Sequence, residues 1–191
     1  VAAAMAVLSS NDLEHPLVEG LFTIDEEAGM TGANYLKPGI LKGDILLNMD
    51  SEDEGELYVG CAGGEDANVS LAYTEEDVPA GYKGYKLSVT GLKGGHSGMD
   101  IPLGRGNANK IMFRLFNKAI DAQDLRVSEI NGGSLRNAIP REGFAVIAVP
   151  ETKAASFESF VKEFEATVQK ELSGADPGVK IELAGADVPA K

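Results

Sequence analysis

Residues 152–172 read TKAASFESFVKEFEATVQKEL, and this stretch decides the fold. Phe157, Phe160, Val161, Phe164 and Val168 recur at spacings of three and four, while Glu158, Lys162, Glu165 and Lys170 take the other faces. That period lays one apolar stripe along a helix, and such a stripe must be buried against another element. On either side stand short apolar runs of strand type, at 144–149 and 180–183. Further upstream come a strand at 125–129, a helix at 107–120 with its own stripe of Ile111, Leu115, Phe116 and Ala119, and a strand at 82–91. The order βαββαβ is that of a split two-layer sandwich.

The first third of the chain reads differently. Residues 1–8 are Ala-rich and lack a capping residue, so they read as a helix entered part-way, broken by Ser9-Ser10-Asn11-Asp12. Apolar runs at 18–24 and 44–49 flank a Gly/Pro-punctuated segment, 31–41, with room for a short helix. Strand, helix, strand predicts a parallel pair in a mixed sheet of an α/β domain. A third strand at 57–60 leads into the polar exit at 62–66, so two domains are expected, 1–64 and 65–191.

Composition removes several function classes. With 30 acidic against 17 basic residues the formal charge is −13, which repels phosphate backbones and anionic lipid headgroups. Nucleic acid and membranes are therefore not expected partners. There is no run of about 18 apolar residues for a membrane span, and the N-terminal stretch lacks the basic region of a signal peptide. A single cysteine, Cys61, excludes an intramolecular disulfide and a thiolate cluster, pointing to the cytoplasm and leaving carboxylates and two histidines as metal ligands. Cys61 itself reads as a small buried residue.

Several constellations could carry chemistry. Asp25-Glu26-Glu27 places three carboxylates at the end of the first expected strand, where α/β sheets hold their sites, and neighbouring side chains there face different ways. The uncharged Ala28-Gly29-Met30-Thr31-Gly32-Ala33 that follows suits a turn against which a ligand or another backbone packs closely. Asp50 closes the second apolar run, an expensive place for a carboxylate without a compensating cation. The segment 50–55 resembles half a calcium loop, but the twelfth place is Cys61 and the motif fails.

Gly94-Gly95-His96-Ser97-Gly98 sets a histidine among glycines, where its ring is accessible to an anion, a carbonyl oxygen or a metal. No Gly-x-Ser-x-Gly elbow is present there. The segment 131–140, NGGSLRNAIP, gathers donors able to orient a substrate carboxylate or carbonyl, or forms an ordinary hairpin turn. His15, beside Pro16, reads as a turn residue, and Gly104-Arg105-Gly106 lacks the third glycine of a dinucleotide fingerprint.

Four stretches taken together, 15–30, 46–52, 94–98 and 134–140, resemble in order the Xaa-His (aminoacyl-histidine) dipeptidases, within the co-catalytic zinc peptidases that include carnosinases and aminoacylases. The likeness covers essentially the whole chain. It implies that Glu26 is the general base acting on water between two metals, that Glu27 ligates one metal and that Asp50 ligates the other. It also implies that His96 and Asn137 lie on a lid domain and help bind the substrate or polarise its scissile carbonyl, with Arg136 and Arg105 as neighbours. The cofactors implied are two divalent ions, zinc first, with cobalt or manganese as alternatives, and the partners are a dipeptide and a second copy in a homodimer.

By the same resemblance residues 1–64 are part of the catalytic domain and 65–191 the lid. The family's His-x-Asp motif, bridging aspartate and final histidine have no counterpart here, so the expectation is a fragment that by itself hydrolyses nothing. A related amidohydrolase, such as an aminoacylase or deacylase, would use the same carboxylates. A non-catalytic binding or dimerisation module would instead fold and self-associate without metal.

Overall fold

The computed structural model describes residues 1–50, 53–61, 63–65 and 67–191. It divides into two compact units, Val1–Val69 and Ser70–Lys191.

The second unit carries the sandwich. Its elements are β1 (Tyr82–Thr90), β2 (Gly95–His96), α4 (Ala108–Gln123), β3 (Arg126–Gly132), β4 (Ala138–Ile139), β5 (Gly143–Pro150), α5 (Ala154–Glu171) and β6 (Lys180–Ala186). Three short helices precede them in the first unit: α1 (Ala2–Ser9), α2 (Glu26–Gly29) and α3 (Thr31–Asn34). Strands β3, β5, β1 and β6 form one sheet in that order, with every neighbouring pair antiparallel. The two longest strands are central: β1 runs beside β5 from Tyr82 opposite Pro150 to Val89 opposite Gly143. Edge strand β3 shifts register between Val127 and Glu129, a bulge of the kind that blunts an exposed edge.

Periodicity explains the layers. Tyr85, Leu87 and Val89 alternate onto the buried face of β1, and Ala145, Ile147 and Val149 do the same on β5. Against them α4 lays Ile111, Met112, Leu115, Phe116 and Ala119, and α5 lays Phe157, Val161, Phe164 and Val168. Helix α4 starts one residue after the expected 107, which caps it instead, with Asn107 Oδ1 accepting from the Lys110 N–H at 3.0 Å. Each fully buried Leu, Val or Phe here is worth roughly 1.5–3 kcal/mol over its exposed state.

Helix α5 is also tied to the sheet by a polar clasp. The Tyr85 hydroxyl donates to Glu158 Oε1 at 2.6 Å, and Lys83 Nζ meets the same oxygen at 3.1 Å. The Tyr85 hydrogen bond first, then Lys83, hold the Glu158 carboxyl below its ordinary 4.5, and Arg114 does the same for Glu171. A carboxyl depressed in the folded state stabilises the fold above its unfolded pKa and loses that contribution as pH falls through the folded value. The melting temperature of the chain is thus expected to drop as pH falls below 4.5. Glu158→Gln should flatten part of that slope by removing a contribution present at pH 7, a loss of the modest size of an exposed ion pair that shrinks as pH falls below 4.5. Parallel melting curves of the two proteins against pH would refute it.

The first unit departs from expectation. Among the described residues it holds no strand: 18–24, 44–49 and 57–60 are extended or irregular and unpaired. A parallel pair needs neighbours along its edges and cover on both faces, and here Leu46 and Leu47 are each 78% exposed. From the first run the Glu19 side chain reaches the main chain just before the second, its Oε2 accepting from the N–H groups of Lys42 (2.7 Å) and Gly43 (2.9 Å). Cys61, expected to be buried, is exposed for the same lack of a covering layer among the described residues. Ser51, Glu52, Ala62 and Asp66, which belong to the acidic cluster and the polar exit, lie outside the described residues.

Candidate functional site

In the second unit the two-stranded ribbon of β2 and β4 pairs Gly95 with Ile139 and His96 with Ala138. Neither strand announces itself by periodicity, since each is two residues long. Their pairing brings two expected site residues, His96 and Asn137, near one another although they are distant in sequence: the Ser97 N–H donates to the Asn137 carbonyl at 3.0 Å, immediately beside the His96–Ala138 pair. Arg136 is exposed on the turn that leads into β4, Asn137 is half-buried, and His96 is exposed.

The His96 ring is fixed from behind. Its Nδ1 lies 3.1 Å from the Gly98 N and 3.3 Å from the Met99 N, both of which donate. The His96 N–H donates to Asp100 Oδ2 at 2.8 Å, and the same oxygen takes Arg105 Nη1 at 3.2 Å. Arg105 Nη1 also donates to the Gly94 carbonyl at 2.6 Å. This arrangement gives Gly95 a purpose that sequence alone does not supply: a Cβ there would stand 2.5 Å from both Arg105 Nη1 and Asp100 Oδ2. The glycine makes way for the ion pair rather than for a ligand.

Sequence reasoning missed Asp100 and Asp176. Asp176 is fully buried, and its two oxygens accept from the N–H groups of Lys93 (2.7 Å) and Gly106 (2.6 Å), the residues at either end of the His96 segment. A carboxylate satisfied by main-chain donors leaves no motif in the sequence, although Asp100 four residues after His96 beside a glycine-flanked Arg105 was a readable hint.

In the first unit Glu26 and Glu27 do not leave a strand. They form the first turn of α2, after Asp25 in a left-handed conformation with φ of 58°. Successive residues on a helix are turned by about 100°, so the two carboxylates still face different ways. The small residues that follow do meet another backbone: the Gly32 N–H donates to the Ile24 carbonyl at 3.1 Å, and a Cβ on Gly32 would stand 2.6 Å from the Ile24 N. Asp50, expected at the end of a buried strand, is exposed, with its N–H donating to Asn48 Oδ1 at 3.1 Å. Among the described residues no three His, Cys, Asp or Glu side chains are grouped to hold a metal, so Glu27 and Asp50 do not by themselves assemble a metal site. Nor, among those residues, is any helix long and apolar enough to cross a membrane.

Residues 80–176, which comprise β1 through α5 and half of the chain, match the peptidase dimerisation domain family. The chain belongs to that family. Around this dimerisation domain the likeness extends further. The chain is 46% identical over 183 residues to the cytosol non-specific dipeptidase of Escherichia coli K12, a match that takes in 96% of the chain and 38% of that protein. The crystal structure of aminoacylhistidine dipeptidase from Vibrio alginolyticus superposes with a TM-score of 0.73 at 41% identity, covering 99% of the chain and 39% of the enzyme. The dimerisation-domain chain therefore spans under two-fifths of the length of these dipeptidases. The resemblance carried by the four motif stretches holds, and so does the α/β class with its βαββαβ sandwich.

Proposed function

We propose that this chain forms part of a cytoplasmic metal-dependent dipeptidase that hydrolyses unblocked dipeptides, including those ending in histidine. The observation that carries the reading is the 46% identity to a dipeptidase along 96% of the chain. Within it, residues of the first unit act on the water and residues of the second hold the substrate. Glu26 accepts a proton from the attacking water, and Glu27 and Asp50 are the two carboxylates this chain contributes to a pair of divalent ions, zinc in the first place. Such ions, when bound, polarise the scissile carbonyl and share the charge that develops on it. His96 and Asn137, held together by the β2–β4 ribbon, bind the dipeptide, with Arg136 beside them.

A two-metal centre needs more protein ligands than two, so the chain alone is proposed to be inactive. The test is hydrolysis of Gly-His, Gly-Leu and an N-acetylated dipeptide by the isolated chain and by a polypeptide that restores the remaining ligands, each with zinc or cobalt. Cleavage of both free dipeptides by the longer protein alone, abolished by a chelator, is the expected result. Preference for the acetylated substrate would turn the reading towards an aminoacylase, and cleavage by the isolated chain would refute the division of ligands. The match of residues 80–176 to a dimerisation domain favours in addition a homodimer formed through the second unit.

A further inference from the structure

We infer that Asp100 and Arg105 are positioning residues that, with the 98–99 main chain, hold His96 as the tautomer protonated on Nε2, a fixed hydrogen-bond donor. The inference takes from the proposed dipeptidase reading only the identity of the acceptor, a substrate carbonyl.

Two main-chain N–H groups converge on His96 Nδ1, at 3.1 and 3.3 Å, and an N–H can only donate. Nδ1 must therefore offer its lone pair, and in the neutral ring the proton resides on Nε2. His96 then presents an N–H to a bound ligand and cannot serve as a base through Nδ1 without surrendering both bonds. A donor already oriented costs little further ordering when charge develops on the oxygen it faces.

The turn that supplies these donors is itself held by charge. Asp100 Oδ2 accepts from the His96 N–H, and Arg105 bridges that carboxylate to the Gly94 carbonyl, so residues 94, 96 and 100 are joined by one ion pair. This pair is half-buried, and Asp176 secures the segment at Lys93 and Gly106. Charge-assisted bonds of this kind are the stronger class.

The chain holds its own control. Its one other histidine, His15, has Nδ1 2.8 Å from the Pro16 carbonyl, which can only accept, so His15 must carry its proton on Nδ1. The two rings are opposite tautomers. Long-range proton–nitrogen correlation spectra of the 191-residue chain with ¹⁵N-labelled histidine, recorded above the imidazole titration range, separate the two forms. His15→Gln and His96→Gln assign the signals. The expected spectrum has a pyrrole-type Nε2 and pyridine-type Nδ1 for His96, and the reverse for His15. Protonation of His96 on Nδ1, or an averaged pair of signals in the unaltered chain, overturns the inference.

In Asp100→Ala the separation between the two His96 nitrogens should collapse towards the average, while amide resonances of β1 and β5 stay in place. Arg105→Gln should act in the same direction, which guards against a variant that fails to fold. His96 signals unchanged in both variants would remove the positioning role. None of these readouts needs substrate or metal, so failure of the dipeptide assay and failure of this inference are told apart.

Discussion

Glu26→Gln, introduced into the metal-loaded protein that carries the full ligand set, is expected to lower kcat for Gly-His by about 10²–10⁴ with KM little changed. The amide keeps the shape and the hydrogen-bonding reach of the carboxylate but cannot take a proton, and positioned general bases contribute about that much. A loss confined to kcat marks an interaction used in the transition state rather than in substrate binding. Glu27→Gln should behave differently, by weakening metal retention, because a neutral amide is a poorer ligand for a divalent ion than a carboxylate. Metal content measured on both variants separates the roles that adjacent residues of α2 are proposed to hold. A Glu26→Gln enzyme that is fully active, or one that has lost its metal, would contradict the assignment.

Phe157→Ala is expected to destabilise the sandwich by about 3–5 kcal/mol. Phe157 is fully buried, with its ring 6.0 Å from that of Tyr85 on β1 and 6.3 Å from that of Phe160 on its own helix. Truncation removes one of the buried contacts that seat α5 on the sheet and leaves a cavity the surrounding strands can only partly fill. Lys162→Ala, on the exposed face of the same helix, should stay within about 0.5 kcal/mol. Urea unfolding followed by circular dichroism checks both, the chain having no tryptophan. Equal midpoints for the two variants would mean that α5 does not carry the core.

The sandwich was legible because its two helices announce themselves. The 157–168 stripe and its counterpart at 111–119 are long, strictly periodic and flanked by strand-length apolar runs, and every element expected there forms within a few residues of its expected ends. The apolar runs of the first unit look equally strand-like in composition, yet Ile45, Leu46 and Leu47 stand exposed and unpaired. A run of apolar residues records a need for cover, whereas a strand exists only where a neighbour meets its backbone donors and acceptors.

His96 and Asn137 were both readable as candidates, since glycines and amides stand out along a chain, but nothing in their spacing says that they meet. That is decided by a ribbon of two residues against two, too short for any period, and by Asp100, Arg105 and Asp176, whose partners lie across turns. The amino-acid order by itself thus determined the class of fold, the helices and their buried faces, because a repeating pattern of polarity acts locally and along one element. Only the tertiary structure decided which chemical groups share a site and which nitrogen of His96 bears the proton, because hydrogen bonds between distant segments depend on geometry in space and leave no periodic trace in the chain.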